Sequence, residues 1–115
     1  MAASRDSDKA IRYSVTTTIG SAEGLVDEYV AWLKDGHVQA VVAAGATNAE
    51  VLVLEQASGE PVKTVSTYVF PSRAAFDSYV EKTAPALRED GLKRFGGKDV
   101  SFSRTIGTCV FAHST

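Results

Sequence analysis

Apolar and polar residues alternate strictly from Ile11 to Ile19. Ile11, Tyr13, Val15, Thr17 and Ile19 fall on one side and Arg12, Ser14, Thr16 and Thr18 on the other. A period of two with this β-branched content predicts a strand. The period then lengthens. Ala22 to Lys34 gathers Leu25, Val26, Tyr29, Val30 and Leu33 on one helical arc, with Trp32 at its edge and Ser21 placed as the N-cap. Asp35-Gly36 predicts a kink, after which His37 to Ala44 forms a short second helix closed by Gly45. Glu50 to Gln56 and Lys63 to Phe70 read as two strands joined by the turn Ser58-Gly59-Glu60-Pro61, hence a hairpin. Ser72 caps a further helix with Ala75, Phe76, Tyr79, Val80 and Thr83 inward. Pro85 opens a new first turn, and a helical stretch from Ala86 to Phe95 ends at Gly96-Gly97. Val100 to Phe111 is the last strand. Its apolar phase moves from Val100, Phe102 and Ile106 to Cys109 and Phe111, which predicts a β-bulge at Gly107.

Strand, helix, strand, strand, helix, strand is the order of a ferredoxin-like α+β domain: two right-handed β-α-β units form a four-stranded antiparallel sheet with its helices on one face. Residues 1–9 are expected to be a mobile arm and residues 10–115 a single domain. The helices cover one sheet face only, yet the two central hairpin strands are apolar on both sides: Val51 and Val53 against Leu52 and Leu54, Val65 and Val69 against Tyr68 and Phe70. Such a sheet needs a second cover, and a second copy of the chain, meeting it face to face about a two-fold axis, supplies one. Without that partner Tyr68 and Phe70 would form an exposed aromatic patch. The rows Arg12, Ser14, Thr16, Thr18 and Ser101, Ser103, Thr105 add hydroxyls that suit either solvent or a ligand with a few oriented polar groups.

Composition narrows the partners. The chain has 115 residues, 12 basic and 14 acidic side chains and a net charge of −2. Nucleic acid is disfavoured, because that footprint needs clustered Lys and Arg. No apolar run approaches the roughly 20 residues of a membrane span. The single Cys109 fits a reducing, cytoplasmic setting.

Candidate chemistry is sparse. His37 follows the first helix at the kink and continues its inward arc, where an imidazole can serve as general base. The plainer use is a helix-end hydrogen bond. Arg104 interrupts the Val100, Phe102, Ile106 face, so its guanidinium needs a carboxylate such as Glu50 or Glu55, an acid of the partner, or an anionic ligand. Tyr13, Trp32 and Tyr68 are further candidates to line a ligand cavity, beside their use in core packing. Cys109 in a strand is no thiolate nucleophile, His37 and His113 lack zinc spacing, and Gly96-Gly97 lacks the context of a phosphate loop. No cofactor or metal is specified; His37 alone keeps haem ligation open.

Trp32, Asp35, His37 and Gly45 in sequence, followed by Ala84-Pro85-Ala86-Leu87-Arg88-Glu89 and Arg94-Phe95-Gly96-Gly97, resemble dimeric α/β-barrel proteins. Within that superfamily they resemble a branch of short proteins classed as a domain of unknown function, related to EthD-like and antibiotic-biosynthesis-monooxygenase-like proteins. The resemblance runs roughly from Ile11 to Arg104. It implies a ferredoxin-like protomer whose sheet pairs into a dimeric barrel. It also implies relatives that include cofactor-free monooxygenases, haem-binding and haem-degrading enzymes and muconolactone isomerases, so fold alone does not select a reaction. Gly91 stands where such relatives often carry a second histidine, which argues against any role that needs two. The expectation is a homodimeric small-molecule-binding protein, with a cofactor-independent oxygenase or isomerase-like activity centred on His37. A non-catalytic homodimeric binding or assembly protein is the alternative.

Overall fold

The computed structural model describes residues 9–20 and 23–113. The expected arm over 1–8 and the Ser21 cap lie outside the described residues. The elements are β1 (Ile11–Ile19), α1 (Leu25–Trp32), α2 (Val38–Ala43), β2 (Asn48–Val53), β3 (Val62–Phe70), α3 (Arg73–Lys82), α4 (Ala84–Phe95) and β4 (Val100–Thr108). The strands form one antiparallel sheet in the order β2-β3-β1-β4. This is the ferredoxin-like α+β arrangement that the periodicities predict.

Register settles which side chains share a face. Tyr13 lies opposite Tyr68 on β3 and Ile106 on β4, while Ser14 lies opposite Thr67 and Thr105. The helix-covered face therefore carries Ile11, Tyr13, Val15, Thr17 and Ile19 with Thr64, Ser66, Tyr68 and Phe70. The open face carries Leu52, Val65, Thr67 and Val69 among the hydroxyl rows of β1 and β4. Tyr68 and Phe70 are buried under the helices, so they form no aromatic patch. The apolar part of the open face is aliphatic.

The inward side chains fall into two clusters. Ile11, Tyr13, Val41, Tyr68, Phe70, Phe76 and Tyr79 fill one. Ile19, Leu25, Tyr29, Leu33 and Phe95, backed by Trp32 and Phe102, fill the other. Thr17 and Tyr29 satisfy each other's buried hydroxyls at 2.8 Å, as buried polar groups require. Thr64 Oγ1, equally buried, has no hydrogen-bond partner among the described residues.

Local signals account for the helix boundaries. α1 starts after Gly24, whose φ of 77° places it in the left-handed region that glycine enters at least cost. Ser72 caps α3 by accepting a hydrogen bond from the Ala75 amide at 3.1 Å, and Pro85 sits in the first turn of α4. The predicted bulge at Gly107 is absent. The β1–β4 ladder runs unbroken from Ile19 opposite Val100 to Ile11 opposite Thr108. The change of apolar phase has another cause: β4 ends at Thr108, and Val110 and Phe111 lie beyond it, exposed. β2 likewise starts and ends earlier than the apolar run suggests, at Asn48 and Val53.

Candidate functional site

The break between α1 and α2 builds the first wall of the site. Across Leu33–His37 the helical path is interrupted at Asp35 (φ −103°, ψ 54°) and Gly36 (φ 115°). Gln39 bridges the break: its Oε1 accepts from the Gly36 amide at 2.9 Å and its Nε2 donates to the Lys34 carbonyl at 2.7 Å. That clamp fixes the backbone leading into His37. The imidazole lies on the Trp32 indole with ring centroids 4.2 Å apart and planes 28° from parallel. Its Nδ1 is buried and has no hydrogen-bond partner among the described residues. Burial lowers the pKa of His37 below the ordinary 6.5, against an opposing pull from the Asp90 carboxylate, so the ring is neutral at pH 7.

α4 is the second wall. Leu87, Arg88, Gly91 and Leu92 recur at helical spacing on the side that faces His37 and β4. Gly91 is buried, and a Cβ there would stand 3.4 Å from the Trp32 ring; the absence of a side chain lets the indole lie close over the helix. The floor is the edge of the sheet. Phe102 and Arg104 project from β4 on the helix-covered side, and Tyr79 reaches in from α3.

These residues line a cavity of about 170 Å³ beside the two clusters of the core, open to solvent where Arg88, Leu92 and Arg104 are exposed. Cavities of roughly 150 Å³ hold benzene, so the space admits a single six-membered ring. Among the described residues no three His, Cys, Asp or Glu side chains converge as a metal site.

Of the five residues picked out in the sequence, the cavity brings together three: His37, Trp32 and Arg104. Tyr13 and Tyr68 sit in the core and do not line it. Tyr13 touches the site indirectly, its hydroxyl accepting a hydrogen bond from Arg104 Nε at 3.1 Å. Among the described residues Arg104 has no carboxylate partner. Glu50, one of the acids proposed for it, sits opposite Thr67 on the other sheet face. Burial raises the pKa of the Tyr68 hydroxyl and pushes that of Tyr79 up to about 12, so both stay protonated. Tyr79, Leu87, Arg88, Leu92 and Phe102 are cavity residues that sequence reasoning missed. The i, i+4 spacing of Arg88 and Leu92 was the available signal.

The family model DUF4286, a domain of unknown function, matches residues 10–109. The chain belongs to that family. No curated protein matches the sequence. Among solved structures, the DUF4286 chain is similar to a dimeric ferredoxin-like protein from an uncultured marine organism. The TM-score is 0.74 at 13% identity, over 91% of this chain and 99% of that one. It is similar to HapK from Hahella chejuensis, with a TM-score of 0.66 at 13% identity over 91% and 97% of the two chains. SnoaB, a cofactor-independent oxygenase from Streptomyces nogalater, gives 0.64 at 12% identity over 90% and 96%. At these identities the DUF4286 chain shares their fold, and its chemistry has to be argued from its own site.

Proposed function

We propose that this DUF4286 chain is a homodimeric small-molecule-binding protein that acts on a single-ring ligand without a cofactor, with His37 as the group that takes up a proton. The observation that carries the reading is the half-buried imidazole in the cavity wall, its pKa lowered by desolvation and its Nδ1 without a partner among the described residues. A polar atom out of water and without a partner costs free energy, and a ligand proton donor would satisfy it once the ring turns Nδ1 towards the cavity. A neutral histidine with a depressed pKa is also the correct protonation state for a general base at pH 7. Trp32, Phe102, Leu87 and Leu92 supply apolar walls for a ring. The ring's acidic C–H or O–H would face His37, as proton abstraction in an oxygenase- or isomerase-like reaction requires.

Dimerisation rests on a separate observation. Leu52, Val65 and Val69 form an aliphatic strip on the uncovered sheet face, and Leu52 is 46% exposed. The marine ferredoxin-like protein of the same fold is described as dimeric. A two-fold contact through this face buries the strip and leaves the helix-side cavity of each protomer intact.

The test combines turnover with assembly. Trp32 is the chain's single tryptophan, so its emission reports occupancy of the cavity. Hydroxylated and enolisable single-ring compounds are screened by that emission, and each binder is followed for oxygen uptake or isomerisation. His37→Ala is expected to keep the dimer and lower turnover about 10²-fold or more. Turnover unchanged in His37→Ala overturns the catalytic assignment, and a binder without turnover identifies a binding protein.

A further inference from the structure

We infer that the ligand is an organic anion, a single-ring carboxylate whose charge is met by Arg88 and Arg104. The inference rests on reading the cavity as the ligand site and names what that site selects. The cavity lining holds two guanidinium groups and no carboxylate. Among the neighbouring acids Glu28 pairs with Lys98 and Arg94, Glu89 with Lys93 and Asp77 with Arg73, while Asp90, whose charge reaches His37, lies outside the lining and pairs with neither arginine. Arg88 has no hydrogen bond or ion pair with a described residue. Arg104 spends only Nε, on the Tyr13 hydroxyl, and stacks near the Phe102 ring at 5.9 Å.

The Tyr13 contact matters for selectivity. It anchors one edge of the Arg104 guanidinium to a core tyrosine and leaves the two terminal nitrogens free, the edge that a carboxylate engages in parallel hydrogen bonds. Two like charges at the exposed rim of one largely apolar space repel each other, and an anion between them relieves that repulsion. The volume sets the rest: a ring fills the apolar part between Trp32 and Phe102, and the carboxylate stays at the arginine side.

Benzoate and benzamide test this, since they match in shape and differ in charge. Both are titrated into the 115-residue chain at low salt, with Trp32 emission as the readout. Benzoate is expected to bind at least about tenfold more tightly than benzamide, and about 0.5 M salt should weaken benzoate selectively. Arg88→Gln and Arg104→Gln should each bring the preference to about twofold or less, whereas Lys82→Gln, which removes an exposed cation outside the cavity lining, should leave it in place. Arg88 bonds no described residue, so its variant stays informative if Arg104→Gln unfolds by circular dichroism. Equal binding of the two probes overturns the anion inference and leaves the cavity reading standing. A benzoate preference that survives both arginine substitutions also overturns it. Binding of neither probe removes the inference and the cavity reading together.

Discussion

The Trp32 indole covers the His37 imidazole at a centroid distance of 4.2 Å, close to parallel. Trp32 is itself pinned by Tyr29 (5.9 Å, stacked) and by the edge of Phe95 (5.3 Å). The histidine is thus held against a surface that belongs to the core, and its loss of water is a consequence of packing.

That relationship has a pH signature. The folded pKa of His37 lies below 6.5 because burial disfavours the imidazolium, whereas in the unfolded chain the ring titrates near 6.5. Above that pH both states hold a neutral ring and the residue adds no pH dependence. As pH falls below 6.5 the unfolded chain takes up a proton that the folded one refuses, so stability drops until the folded pKa is passed. Urea midpoints at successive pH values below 7 should fall more steeply for the wild type than for His37→Asn. Parallel curves would mean that the ring is hydrated.

Thr64 offers a stability test away from the site. Its hydroxyl is buried in β3 without a hydrogen bond, so the fold bears a desolvation cost with no return. Thr64→Val keeps the shape and the β-branching and removes the orphan. The variant is expected to be about 1 kcal/mol more stable, read as a higher urea midpoint with an unchanged slope. A loss of stability would show that the hydroxyl is satisfied in solution.

Much of this architecture is legible in the sequence. Alternation over Ile11–Ile19, the Ser72 cap, the Pro85 start and the Asp35-Gly36 break are local signals, and local geometry answers to them. The cavity is legible only in part. His37 and Trp32 sit five residues apart on one turn system, and Arg104 breaks an apolar face, so each stands out alone. Tyr79, Arg88 and Phe102 join them only because α3, α4 and β4 pack together, and pairing over such separations leaves no mark at any one position. The end of β4 was misread for a related reason. Cys109 to Phe111 looks like strand by composition, but only the register against β1 shows where the ladder stops.

Gly91 separates helix energetics from cavity volume. It sits inside α4, where alanine is favoured over glycine by about 1 kcal/mol. A Cβ would reach van der Waals distance of Trp32. Gly91→Ala should therefore raise stability by up to about 1 kcal/mol. Gly91→Leu drives a branched side chain against the indole and should cost about 1–3 kcal/mol through overpacking, while abolishing the emission response to single-ring probes. If Gly91→Leu binds those probes as well as the wild type, the cavity beside Trp32 is not where they go.

The last prediction concerns the uncovered sheet. Val65 stands near the middle of that face, opposite Leu52 on β2 and Thr16 on β1, and is only half-buried in the single chain. In a two-fold contact each Val65 meets the partner's face, so Val65→Lys places two ammonium groups in one interface and asks both to give up water without an acid to meet them. Within one protomer the same lysine extends into solvent at a cost of about 1 kcal/mol or less, the range of strand propensity. Sedimentation should accordingly report twice 12.2 kDa for the wild type and 12.2 kDa for Val65→Lys, with the far-ultraviolet spectrum unchanged. Ala74→Lys on the exposed side of α3 controls for added charge and should remain dimeric. A wild type that sediments as a single chain, or a Val65→Lys variant as dimeric as its parent, places the contact elsewhere and leaves Leu52, Val65 and Val69 facing solvent.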